Sequence, residues 1–295
     1  MPFLREKSGR WSGEKIIAFV AACLPALWLA WRAINGDLNP ARPVNEAIHD
    51  TGSWAVRFVL LALAVSPARR LFAAPKLINM RRTLGVTAFC YAALHLTLYF
   101  VQEKFDLLHI ASEIVLRIYL TIGFVALLGL IALAVTSTDG MISRLGSARW
   151  NRLHNLVYPI ALLGIIHFMM QTKVDITESV MVAGFLFWLL GYRLMHRYLG
   201  AVSYAWSAAL AFIAAALTAV AEAAWYGATT GVPAWRVFAV NFDWDMAFRP
   251  AHWVLIVGLA VTLASFAWSF TSQRPKARRI ASSAPLGAIQ VQSGS

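Results

Sequence analysis

The sequence predicts an all-α integral membrane protein, and three observations predict it. Hydrophobic residues make up 59% of the 295 positions and charged residues only 14%, with a mean hydropathy of +0.62. A soluble domain carries about 25% charged residues. Apolar runs near the roughly 20 residues needed to cross a bilayer recur along the chain. The cations, which give a net charge of +12, alternate in density from loop to loop. An ordinary cytosolic, fibrous or disordered chain is thereby excluded. Basicity that follows the loops indicates membrane topology and not a nucleic-acid partner.

Eight runs are apolar: 16–34, 53–68, 83–101, 113–135, 154–171, 179–198, 202–222 and 252–271. Basic residues precede the first, as before a signal peptide. The run is long and no small-residue cleavage site follows, so it reads as a retained helix. The second is short and contains Arg57. Arg117 falls within the fourth, and Pro159 within the fifth. With the N-terminus placed in the cytoplasm, eight crossings put eighteen Lys and Arg on the cytoplasmic side and six outside. That excess is the positive-inside pattern and places both termini in the cytoplasm. The organisation expected is a six-helix core over 1–200, a two-helix extension over 201–272 with an aromatic outer segment, and a disordered cytoplasmic tail over 273–295. The outer segment, VPAWRVFAVNFDWDMAFRPAHW, reads as an interfacial amphipathic stretch or a docking surface for an outer partner. Cys23 and Cys90 lie in apolar runs and form no CxxC pair or CxxCH haem-attachment site.

His49, His109, His196 and His252 fall at loops or helix ends and read as interfacial polar residues. His95, His154 and His167 fall inside apolar runs that hold no acidic residue. Ionisable groups at membrane depth are costly, and three histidines on two helices point to metal or haem ligation. His95 lies twelve residues into a helix that starts at the cytoplasm. His167 lies near the outer end of its run, so the two share an outer-half depth. Facing imidazoles there would make a six-coordinate b-type haem site. His154 is 13 residues from His167, about 20 Å along a straight helix and about 140° around it. It would sit at inner depth and need another partner. Arg81 projects from roughly the same face as His95, at the depth of His154. Arg57 and Arg117 read either as snorkelling residues or as partners of haem propionates. Arg69, Arg70, Arg144, Arg149 and Arg152 form a cytoplasmic basic rim. Gly85 and Gly164 are the glycines expected to admit a porphyrin or a close helix.

At these residues the sequence resembles the MsrQ (YedZ) family, within the ferric-reductase-like transmembrane superfamily. The matching stretches are RRTLGVTAFCYAALHLTLY at 81–99 and RLGSARWNRLHNLVYPIALLGIIH at 144–167, and the similarity spans roughly 10–200. The resemblance implies a ferric-reductase-like haem bundle in the bacterial inner membrane. The superfamily places two histidines on each of two helices, 13 or 14 residues apart. Here Arg81 or Arg82 occupies the first position of the first pair, which leaves one haem b, or a second with unusual ligation by His154. The resemblance also implies an association with FMN and electrons drawn from the membrane quinol pool. Delivery would be to MsrP, a periplasmic molybdopterin enzyme that reduces methionine sulfoxide, with catalysis on that partner. No GxGxxG or Walker loop occurs, so the chain has no nicotinamide-binding domain of its own. The alternative is a stand-alone transmembrane ferric or quinone reductase fed by a separate flavoprotein.

Overall fold

A computed structural model describes residues 11–172, 175–243 and 247–272, and the expected tail over 273–295 lies outside the described residues. All regular structure among them is helical. The helices are α1 (Gly13–Asn35), α2 (Pro43–Leu71), α3 (Ile78–Gln102), α4 (Leu107–Leu116), α5 (Ile118–Val135), α6 (Asp139–His154), α7 (Val157–Thr172), α8 (Thr177–Leu199), α9 (Tyr204–Thr230), α10 (Ala234–Val240) and α11 (Pro250–Ser272). Seven are long and apolar enough to cross a membrane, or eight spans if the bent pair α6 and α7 counts as one. The boundaries follow local chemistry. Pro43 opens α2, where its missing N–H costs nothing. Thr138 and Ser203 accept backbone N–H groups at the starts of α6 and α9.

The short second run, with its charge, forms the later part of the most enclosed span, α2. Along α2, Phe58 and Leu63 are almost fully buried, and α3, α7 and α8 pack around it. By contrast α1 leaves Ile17, Leu24, Leu27, Trp28 and Trp31 exposed, as a lipid-facing helix does. Pro25 interrupts the hydrogen-bond ladder of α1. Tyr91 of α3 enters at that point: its hydroxyl donates to Ala22 O at 2.8 Å and accepts from Ala26 N at 2.9 Å.

The structure corrects the fifth run. His154 and His167 do not share one helix. The chain breaks between α6 and α7, which bend by 41°, and α6 is itself kinked at Gly146, with φ 73°. The phase calculated for a straight helix therefore does not apply. The fourth run also divides, at Arg117, into the short α4 and the spanning α5.

The last three helices rest on α8 and on one another. Small residues bring them close. A Cβ on Gly184 would overlap Thr218 of α9, and one on Gly258 would stand 2.6 Å from Ala211 Cβ. One end is tied by a buried polar cluster. Glu222 takes Arg249 Nη2 at 2.7 Å and Asn241 Nδ2 at 3.2 Å. His252 Nε2 donates to Asn241 O at 2.7 Å, and its Nδ1 accepts Arg249 N at 3.0 Å. The aromatic segment forms α10 and exposes Trp235, Phe242 and Phe248; residues 244–246 of that segment lie outside the described residues.

Candidate haem site

Five helices converge on a cavity of about 540 Å³, lined by residues of α2, α3, α4, α5 and α7. Its deep wall is apolar, with Val59, Leu127, Leu130 and Ile160. Its mouth is polar, with Arg42, His49, His109, Glu113 and Arg117. The volume lies within the roughly 300–1,000 Å³ of small-molecule and cofactor sites.

His95 from α3 and His167 from α7 both line it. Their ring centroids are 6.1 Å apart and their planes stand at 88°. A metal–imidazole bond is about 2.0–2.1 Å and the ring centre lies about 1.1 Å beyond the nitrogen, so two axial imidazoles on one metal have centres roughly 6.3 Å apart. The spacing thus fits a metal ion between the rings. His95 Nδ1 lies 2.8 Å from Ile48 O, and His167 Nδ1 lies 2.8 Å from Tyr119 O. A carbonyl only accepts, so each Nδ1 carries the proton and each Nε2 keeps its lone pair. This is the tautomer of a metal-ligating histidine held by a backbone carbonyl. The donor set, two neutral imidazoles above an apolar slot with a charged mouth, suits a haem with its carboxylates at the mouth.

Both contacts depend on glycines absent from the sequence expectation. A Cβ on Gly52 would stand 2.8 Å from His95 Nδ1, and one on Gly123 would stand 2.7 Å from His167 Nδ1. Gly85, one of the two expected, meets nothing within 4 Å, and Gly164 meets only Val56 at 3.7 Å. Nothing in the linear pattern pairs Gly52 with a histidine 43 positions away; only helix packing does.

The remaining expected residues scatter. Arg117 lines the mouth, pairs with Glu113 at 2.5 Å and reaches the Tyr119 hydroxyl at 3.1 Å. That hydroxyl beside it holds the guanidinium above its usual pKa. Arg57 does not line the cavity. It pairs with Glu178 of α8 at 2.5 Å and lies over the Trp54 ring at 4.6 Å. His154 stacks on Trp150 with centroids 3.8 Å apart, and its Nδ1 and Nε2 face Trp150 O at 3.1 Å and Ser137 Oγ at 3.4 Å. Arg82 turns to Asp139 at 2.6 Å. The sequence singles out Arg81 as the one on the face of His95, and the structure engages Arg82 at the start of α6.

Residues 51–165 match the model of the ferric reductase like transmembrane component. Several curated proteins named protein-methionine-sulfoxide reductase heme-binding subunit MsrQ are similar to the chain. That of Rhodospirillum rubrum is 43% identical over 192 residues, 65% of this chain and 89% of the relative. That of Caulobacter vibrioides is 41% identical over 160 residues, 54% of this chain and 76% of the relative. That of Xanthomonas campestris is 43% identical over 200 residues, 66% of this chain and 91% of the relative. No solved structure matches. At 41–43% identity over most of each relative's length, the chain belongs to the MsrQ family of multi-pass, ferric-reductase-like membrane proteins.

Proposed function

We propose that this protein is the b-type haem electron-transfer subunit of a methionine sulfoxide reductase system. It would take electrons from membrane quinol and pass them to a periplasmic molybdopterin reductase of the MsrP kind. The observation that carries the reading is the pair His95 and His167, 6.1 Å apart, each with Nδ1 held on a helix carbonyl so that Nε2 is left to ligate. The relatives' shared description as heme-binding subunits supports the same group. A haem held there would exchange single electrons. The apolar wall of Val59, Leu127 and Ile160 excludes water from the imidazoles. Arg117 and Arg42 at the mouth supply positive charge for the propionates, the role considered for Arg57 and Arg117.

The mouth is read as the outer side, from which electrons leave, and both termini as cytoplasmic in the inner membrane. Residues 1–200 are the haem-binding part and 201–272 an added two-helix unit. At the inner end, Arg81 and His154 are the groups that would serve a second haem, and the arginines at 69, 70, 144, 149 and 152 would meet an FMN phosphate. Reduction of methionine sulfoxide belongs to the partner.

Reduced-minus-oxidised spectra of the purified full chain test the reading. Wild type should show b-type bands that His95→Ala and His167→Ala each abolish, and quinol should reduce them. Absence of the bands from wild type, or their survival in both variants, would end it. His154→Ala should lower haem per chain if a second haem is present, and an unchanged ratio removes that second site. Reoxidation on addition of the molybdopterin enzyme tests the partner.

A further inference from the structure

We propose that Gly52 and Gly123 are positioning residues for the two haem-facing imidazoles, an inference that rests on the haem reading above. The same device appears twice, on helices unrelated in sequence. Ile48 O holds His95 and Tyr119 O holds His167, and in each case the glycine stands four residues after the accepting carbonyl. In an α-helix that oxygen already receives the N–H of residue i+4. The Thr51 hydroxyl also reaches Ile48 O from its own helix at 3.0 Å, whereas each imidazole comes from a neighbouring helix and crosses the glycine face, where a side chain would stand. The missing Cβ atoms would lie 2.8 Å and 2.7 Å from the two Nδ1 atoms, and 3.0 Å and 2.8 Å from the Cε1 atoms. Those atoms are the edge of a rigid ring, not the tip of a flexible chain. An added methyl must therefore push the ring or the helix back by roughly 0.6 Å to reach ordinary contact. Ligand bonds tolerate only about 0.2 Å. The displaced ring also loses the carbonyl that holds the proton on Nδ1, and with it the guarantee that Nε2 is unprotonated. Glycine at 52 and 123 thus sets both the reach and the tautomer of each ring.

Gly52→Ala and Gly123→Ala, with Gly85→Ala as a control in open space, would be purified as full chains in detergent. Haem per chain and the low-temperature EPR spectrum of the ferric form would be recorded. Each of the first two should lose roughly ten- to hundred-fold in haem affinity, the usual effect of removing a ligand's supporting partner. Any haem retained should show an altered low-spin signal, and Gly85→Ala should match wild type. Unfolding midpoints of the haem-free chains complete a double-mutant cycle. Gly52→Ala should destabilise the chain when His95 is present and have little effect in the His95→Ala background. A general folding defect would instead destabilise both backgrounds equally and overturn the proposal. Wild-type haem affinity and EPR in both glycine variants would overturn it as well. A wild type without haem would remove the functional reading instead, and the cycle would still report whether the glycine accommodates the imidazole.

Discussion

Breaking the Glu222–Arg249 pair gives a prediction that separates the added helices from the haem site. The Glu222 side chain is 1% exposed and bonds Arg249 at 2.7 Å and Asn241 at 3.2 Å. Removing one partner of a buried pair costs about 3–5 kcal/mol, because the other charge is left uncompensated. The Arg249 side chain is 30% exposed and reaches water, and Asn241 Nδ2 keeps Val237 O at 3.1 Å. Both facts place Glu222→Ala at the lower end, about 3 kcal/mol. Glu222→Gln should cost about 1–2 kcal/mol, since its amide can still accept from Arg249 but has lost the charge. Glu222→Ala with Arg249→Ala should cost less than the sum of the two single changes. Unfolding in detergent followed by tryptophan fluorescence reads the ranking. Haem per chain should not change, because α9, α10 and α11 rest on α8 and on one another. A Glu222→Ala chain within about 0.5 kcal/mol of wild type would refute the buried-pair argument. A parallel loss of haem would refute the separation.

Three further changes test other contacts. Tyr91→Phe removes the hydroxyl that bridges Ala22 O and Ala26 N beside Pro25; it should cost about 1–3 kcal/mol of unfolding free energy, and an unaltered midpoint would show that α1 closes its own gap. Arg117→Met should change stability by no more than about 0.5 kcal/mol, because the Glu113 pair is solvent-exposed on the arginine side. The same change should lower the haem midpoint potential in a spectroelectrochemical titration, since a lost cation favours the ferric form; a raised potential would contradict a charge role at the mouth. The Thr177 hydroxyl and backbone N–H hold the Asp175 carboxyl below its ordinary value of 3.8. The ionised group therefore stabilises the fold above that value, and the contribution is lost as pH falls through the lower folded value. Asp175→Asn should be the less stable chain at pH 7 and converge on wild type in acid, whereas a gap independent of pH would rule this out.

Much of the protein was legible in the chain because it depends on counting along it. Hydropathy runs marked the spans, since any helix in a bilayer must satisfy its backbone internally and present apolar side chains for a known length. Axial depth is likewise additive at 1.5 Å per residue, so His95 and His167 could be matched in height before any contact was known. Three things needed the tertiary structure. The break after His154 and the kink at Gly146 leave no mark in the hydropathy pattern. Arg57 turns from the site to Glu178, 121 residues away on α8. Gly52 and Gly123 earn their place only when α2 meets α3 and α5 meets α7. Height along a helix is a property of the segment. The direction a side chain faces, and the residue it meets there, are set by the neighbouring helices, and no local pattern carries that information.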